Sequence, residues 1–234
     1  MNTRIKTLGF FSALTLPLAA APAVAYEAGE WILRAGVATV APDESSDTVK
    51  LNGATLSLNG GTSKLEVDEN SQLGLTATYM LTQNWGLELL AATPFNHTVS
   101  GTGELANLDI AEIDHLPPTL SAIYHFNPIG RATPYAGVGL NYTLFFSEDV
   151  TGAADTTLTG LGLTGADLEL DNSWGLSLQF GLDYQIGDNW FINASMRWID
   201  IDTTAEISFD NGSKLDVDLE IDPFVYSLLL GRRF

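Results

Sequence analysis

Three histidines, His97, His115 and His125, are the only imidazoles in a chain of 234 residues that has no cysteine. A serine nucleophile needs its histidine within hydrogen-bond reach. Ser121 and His125 fall on one face of a predicted strand, four residues apart. That is ~13 Å at about 3.3 Å per residue, too far for proton transfer. The missing cysteines exclude a thiol nucleophile, a thiolate zinc site and a disulfide framework. Gly160-Leu161-Gly162-Leu163-Thr164-Gly165 matches GxGxxG. It stands in no βαβ setting and reads as chance, its leucines serving as a short apolar lid. No metal-ligand spacing stands out. The sequence predicts no enzyme, no cofactor and no resident metal ion.

The charges say more. Ten Lys and Arg oppose 29 Asp and Glu, a formal net charge of −19. Nucleic acid needs a basic face, so it is excluded as a partner. Stretches 41–70, 97–114, 147–172 and 200–222 hold 24 of the acids, opposed there only by Lys50, Lys64 and Lys214. One reading is a solvated, mutually repelling surface. The other is divalent-cation binding at acidic loops that bridges them to anionic outer-leaflet lipid. A hairpin centred on Asn211 would set Asp200, Asp202 and Glu206 against Asp222, Glu220 and Asp216. Like charges directly opposite destabilise a ladder, and cations would relieve them.

The elements that position these groups begin after an address. Residues 1–25 have the form of a signal peptide: Arg4 and Lys6, an apolar run interrupted by Pro17, then Ala23-Val24-Ala25 as the cleavage site. The run is too short for a spanning helix, and no later stretch replaces it. An exported chain then either stays soluble or crosses a membrane as a β-barrel.

Period-two alternation favours the barrel. Apolar residues alternate from Trp31 to Val37, Leu73 to Tyr79, Trp85 to Phe95, Leu120 to Phe126 and Ala136 to Phe146. Three more runs span Trp174 to Ile186, Trp190 to Trp198 and Phe224 to Phe234. Eight is an even number, as bacterial barrels have. The alternate set is small or polar, which suits lipid outside and a packed lumen within. The fold predicted is all-β, an eight-stranded antiparallel transmembrane barrel of the outer membrane spanning residues 26–234. Connections are short at 81–84, 127–132 and 187–189, and long at 41–70, 97–114 and 147–172. The fourth on the long side is a tight turn at Asp210-Asn211-Gly212. Trp31, Tyr79, Trp85, Phe126, Tyr184, Trp190 and Phe234 all fall at the short-turn end on the lipid parity, forming an aromatic girdle.

On the lumen parity, Arg34 and Arg197 can pair with Glu88 and Asp183. Eight strands enclose room for side chains or one small ligand, not an open pore. Towards the long-loop end the pattern inverts. Asp216, Asp218, Glu220 and Asp222 keep the outward parity, while Leu215, Val217, Leu219, Ile221 and Val225 point inward, as do Ile199 and Ile201. These side chains form either a small core closing the barrel or an apolar cavity. The cavity reading takes Phe145, Ile199, Ile201, Leu219, Ile221 and Val225 as its lining. Pro117-Pro118 cannot donate to a ladder. They mark either a bare strand start or a lateral opening in the wall.

The stretches His115-Leu116-Pro117-Pro118-Thr119, Pro134 to Tyr142, Asp171-Asn172-Ser173-Trp174-Gly175 and Ile221-Asp222-Pro223-Phe224 through Arg233-Phe234 resemble the outer membrane protein W (OmpW) family of Gram-negative bacteria. The resemblance implies an eight-stranded barrel with an extended extracellular part and a hydrophobic channel. It implies passive uptake of small hydrophobic solutes with lateral release into the membrane. It also implies that Phe234 is the signal read by the barrel-assembly machinery. Arg232, on the lipid parity, departs from the usual apolar pattern, although near the edge it can snorkel. The alternative from another class is a structural or receptor barrel with a plugged lumen, its acidic loops binding cations, lipopolysaccharide or a foreign partner.

Overall fold

The computed structural model describes residues 26–57 and 61–234; residues 1–25, and with them the expected signal peptide, lie outside the described residues. Eight antiparallel strands close a barrel: Trp31–Ala41, Asn70–Met80, Trp85–Ala92, Thr119–His125, Ala132–Val150, Ser173–Gln185, Trp190–Ile199 and Phe224–Arg233. The first pairs with the last, Ile32 opposite Arg233 through Ala41 opposite Phe224. Thr119–His125 pairs on both sides and completes the circle.

Alternation dictates which side chains meet lipid. Val37, Leu73, Leu89, Leu120, Val138, Leu176, Phe180 and Leu228 are exposed on the barrel wall. Each sits one residue from a lumen side chain, because successive side chains on a strand point to opposite faces. The girdle forms as expected, with Trp31 against Tyr79 at 5.1 Å and Trp85 against Tyr124 at 5.0 Å between ring centroids. Arg232 is exposed beside it, its guanidinium 5.2 Å from the Trp190 ring and 4.7 Å from Phe234. Those rings hold the charge at the barrel edge while its stem covers apolar surface.

Two lumen glycines are needed for packing. Tyr135 lies directly opposite Gly181, and Phe191 opposite Gly231. A Cβ at either glycine would overlap the facing ring. Each aromatic thus covers a bare stretch of neighbouring strand.

Beyond the barrel the sequence reading needs correction. Stretches 41–70, 97–114 and 147–172 are not simple loops. Leu65–Val67, Phe95–Gly101 and Asp109–Leu116 form a sheet continuous with the upper half of Ala132–Val150. Asp167–Leu170, Asp202–Ser208, Lys214–Glu220, Lys50–Leu51 and Ala54–Thr55 form a second, with Ser45–Ser46 also on Lys214–Glu220. The helix Gly152–Gly160 starts at Thr151, whose hydroxyl accepts from the Ala154 N–H at 3.2 Å. Phe95 also departs from expectation. The chain breaks at Thr93-Pro94, and Phe95 restarts on the inner face, 1 % exposed, rather than on the lipid face.

The Asn211-centred register holds for two of the three expected pairs, Asp202 facing Glu220 and Glu206 facing Asp216, while Asp200 and Asp222 lie just outside the paired strands. Leu215, Val217 and Leu219 consequently point inward with Ala205, Ile207, Leu168, Val99 and Ile113, forming the apolar core of the outer region.

Candidate functional site

The lumen contains three tiers. The lowest is polar. Arg34 on the first barrel strand donates to Asp183 through Nε and Nη2, at 3.2 and 2.8 Å, and to Glu88 through Nη1 at 3.0 Å. Arg197 Nη2 donates to the other Glu88 oxygen at 2.9 Å. All four side chains are buried. Thr78 and Gln179 donate to Glu88 at 3.0 and 2.9 Å. Tyr26 and Asn193 donate to Asp183 at 2.6 and 2.7 Å. The Tyr135 and Phe191 rings flank the Arg34 guanidinium, each 5.4 Å away. Two cations and two anions cancel, and the hydrogen bonds fill the remaining lone pairs, the condition under which a buried ion cluster is tolerated. This tier is a plug. Ser121 and His125 take no catalytic arrangement: Ser121 Oγ accepts from Arg197 at 3.4 Å, and His125 packs on the Tyr26 and Tyr135 rings.

The middle tier is an apolar floor of Ala38, Val40, Phe95, Ile199, Ile201 and Val225, with Phe145 and Ile221 packed against it. Of the six residues expected to line a channel, Ile199 and Val225 belong to this packed floor instead. They are the two deepest in the barrel, where eight strands leave room only for side chains.

The upper tier is hollow. An inner cavity of about 30 Å³ is walled by Phe145, Ile201, Leu219 and Ile221, with His97, His115, Val99 and Ile113. An outer cavity of about 80 Å³ is walled by Leu56, Leu105, Leu158, Leu161, Ile207 and Leu215. Val99, Ile113 and Leu219 line both. The helix Gly152–Gly160 roofs the outer cavity with Ala154, Thr157 and Leu158, and Leu161 follows directly. Leu163 is buried in the same core. The GxGxxG leucines therefore do cover the apolar interior, as part of a helical roof that the sequence reading did not anticipate.

The histidines on the inner wall are stacked. His97 and His115 lie 4.9 Å apart, 19° from parallel, and His115 stacks on Phe95 at 5.5 Å. Both stand above the membrane-spanning strands. Burial pushes His115 down to about 3, with His97 adding to the effect. Burial lowers His97 too, against the pull of the neighbouring Asp68.

Pro117 and Pro118 sit beside an interruption in the wall. Thr119 pairs with Leu90, and pairing resumes only at His115 with Phe95. The other side of the proline strand stays in register with Ala132–Val150, from Asn141 opposite Thr119 to Leu144 opposite Leu116. Tyr142 N–H donates to the Pro118 carbonyl there at 3.1 Å. The break is thus one-sided, flanked by Pro94 and by Pro117-Pro118, and His115 of the inner cavity stands at its upper edge.

Outside, the carboxylates of Asp200, Asp202 and Asp222 come within 4.8 Å of one another. Loss of water, then Asp200, Asp222 and Glu220, raise the Asp202 carboxyl above its usual range. Such a set offers hard oxygen ligands of the kind calcium and magnesium take.

Sequence reasoning missed Thr78, Gln179, Asn193, Tyr135 and Tyr26 around the charges, and His97 on the cavity wall. Thr78, Asn193 and Gln179 share the lumen parity of their strands, a signal that was present. No parity signal could place Tyr26, which precedes the first strand.

The family model of the OmpW family matches residues 27–234. Outer membrane protein W of Vibrio cholerae is 44 % identical over 225 residues, 95 % of this chain and 96 % of that protein. A dibenzothiophene metabolism operon protein of Pseudomonas aeruginosa is 26 % identical over 208 residues, 89 % of this chain and 90 % of its own length. The crystal structure of the outer membrane protein OprG from Pseudomonas aeruginosa superposes with a TM-score of 0.78 at 41 % identity, covering 89 % of this chain and 97 % of that one. Barrel closure, apolar outer wall and these likenesses agree: the chain belongs to the OmpW family of outer-membrane β-barrel proteins.

Proposed function

We propose that the protein carries small hydrophobic molecules passively into the outer membrane, taking them into the apolar upper tier and releasing them sideways through the interrupted wall beside Pro117-Pro118. The observation that carries this reading is the stacking of the tiers. The hollow is apolar, yet an apolar packed floor and a buried ion cluster lie beneath it. Crossing that plug would require breaking charge pairs with no water to replace them. An apolar solute has a lower-energy exit into lipid, next to which the strand ladder is already broken. A relative whose name places it in a dibenzothiophene metabolism operon supports an apolar cargo. Under this reading Phe234 serves as the assembly signal, and the protein meets lipopolysaccharide along its outer wall.

The test is flux of a hydrophobic fluorescent probe into liposomes holding the reconstituted full chain. Leu219→Asp and Ile221→Asp, each checked for barrel closure by heat-modifiable electrophoretic mobility, should lose the flux. Wild-type flux no greater than that of protein-free liposomes would end the uptake reading.

A second reading rests on Asp200, Asp202 and Asp222, whose convergence favours a divalent cation bridging the outer strands to anionic lipid. A melting temperature unchanged by millimolar calcium, in wild type and in Asp202→Asn alike, would count against it.

A further inference from the structure

His97, on the wall of the inner cavity, holds one polar atom that the fold leaves unused. His97 Nδ1 lies 2.6 Å from the backbone carbonyl of Asp68. A carbonyl oxygen can only accept, so Nδ1 carries the proton and Nε2 is left as a lone-pair acceptor. Nε2 is buried and has no hydrogen-bond partner among the described residues. His97 itself is 3 % exposed and forms part of the cavity wall. Buried acceptors are nearly always paired, because one left without a donor forfeits its hydration. No group of that wall donates to Nε2: the wall is aliphatic apart from the rings of His115 and Phe145 and the hydroxyl of Thr143. That hydroxyl donates to Asn141 at 2.7 Å.

The surroundings of this atom are flat and aromatic. Phe95, His97 and His115 form a triangle of near-parallel rings, with centroids 4.9, 5.5 and 6.5 Å apart, and Phe145 is tilted against His115 at 5.9 Å. A planar ring matches such a wall, since aromatic faces and edges attract at these separations. The space now open, about 30 Å³, falls well short of the ~150 Å³ of a cavity that takes up benzene. A ring therefore enters by displacing Val99, Ile113 and Leu219, the side chains shared with the outer cavity.

We infer that the inner cavity is a selective binding site for neutral aromatic molecules bearing one O–H or N–H donor, the class of phenols and indoles, with the ring on the stacked wall and the donor on His97 Nε2. This rests on the uptake reading of the same cavity and adds its selectivity. An aromatic hydrocarbon or sulfur heterocycle fills the space but leaves Nε2 unpaired. A site built around a hydrogen bond rejects an isostere lacking it far more strongly than an apolar pocket rejects a change of size.

The experiment compares indole with benzothiophene, close in shape but without the N–H donor. Binding to the full chain in proteoliposomes is read at equilibrium and corrected for partition into protein-free membranes. The wild type should favour indole at least tenfold, and His97→Phe should abolish that preference. His115→Phe, which keeps both the stack and the acceptor, should preserve it. The ¹⁵N resonance of His97 Nε2 in the wild type should move with indole and not with benzothiophene, a readout that needs no variant to fold. Equal affinity for the two probes, or a preference that survives in His97→Phe, would overturn the inference while leaving probe flux intact. Absence of flux in the liposome assay would instead remove the uptake reading on which it stands.

Discussion

Arg34 and Asp183, 149 positions apart in the chain, meet inside the barrel through two parallel N–H···O bonds of 3.2 and 2.8 Å. A fork-to-carboxylate contact of this kind fixes orientation as well as charge. It ties the first barrel strand to the sixth across the lumen, rather than along the wall.

Removing one partner of such a pair strands the others. Arg34→Met should lower stability by about 3–5 kcal/mol, because Asp183 stays buried without its cation while Glu88 keeps only Arg197. Adding Asp183→Leu to the same chain should recover part of that loss. Urea unfolding in lipid vesicles measures both, and a double variant no more stable than the single one would contradict the pairing.

Tyr26 seals the same cluster from below. Its hydroxyl donates to Asp183 at 2.6 Å, and its ring packs with Ile32, Met80 and Phe191. Tyr26→Phe keeps the ring and loses only a hydrogen bond to a charged group, about 1.5–3 kcal/mol. An unchanged unfolding midpoint would show that the residue is not docked in solution.

The stacked histidines predict an acid-sensitive outer region. Burial disfavours the proton on both rings when folded, whereas an unfolded histidine takes up its proton near pH 6.5. His115 is held down at about 3 by burial and then by His97. Between those values the unfolded state binds more protons, so stability rises with pH and falls as the solution is acidified. The slope for His115 is about 1.4 kcal/mol per pH unit in that window and vanishes above it. Asp68 opposes the effect at His97. Amide protection factors in Phe95–Gly101 and Asp109–Leu116, which divide out the intrinsic pH dependence of exchange, should fall from pH 7 to pH 4, and less so in His115→Phe. An equal fall in the two proteins would assign the acid effect elsewhere.

The sideways exit can be tested with a clamp, because the chain has no cysteine of its own. Ala91→Cys and Pro118→Cys stand one step beyond the last regular pair, Leu90 with Thr119. Bridging them with a short bifunctional thiol reagent should cut probe flux several-fold while barrel closure, read by electrophoretic mobility, stays intact. Undiminished flux through a bridged wall would rule out release at this break.

Parity alone made much of the fold legible. One residue of alternation tells lipid from lumen, so Arg34, Glu88, Asp183 and Arg197 could be brought together before any coordinates, and Asp202 set against Glu220. Parity fails where strands bend or restart. Alternation puts Phe95 on the lipid face because it carries no sign of the phase reset at Pro94, and it puts Ile199 and Val225 on a channel wall because parity gives direction but not depth. The roof helix Gly152–Gly160 escaped notice because its buried face is a narrow one, with Ala154 its only fully buried side chain. Nothing in the alternation marks His97, whose tautomer is set by the Asp68 carbonyl, a contact between residues 29 positions apart.

The buried ion cluster draws its members from different parts of the circumference: Arg34 from the first strand, Glu88 from the third, Asp183 and Gln179 from the sixth, Arg197 from the seventh. No half-built barrel can satisfy it. A chain stalled before its last strands are delivered holds Arg34 and Glu88 with only part of their neutralising set. The seam that finally joins Trp31 to Phe234, N–H to carbonyl in both directions, closes the circle around all of them at once. The interior thus acts as a checksum on assembly: a barrel missing its first, third, sixth or seventh strand carries the error as unpaired charge in its lumen.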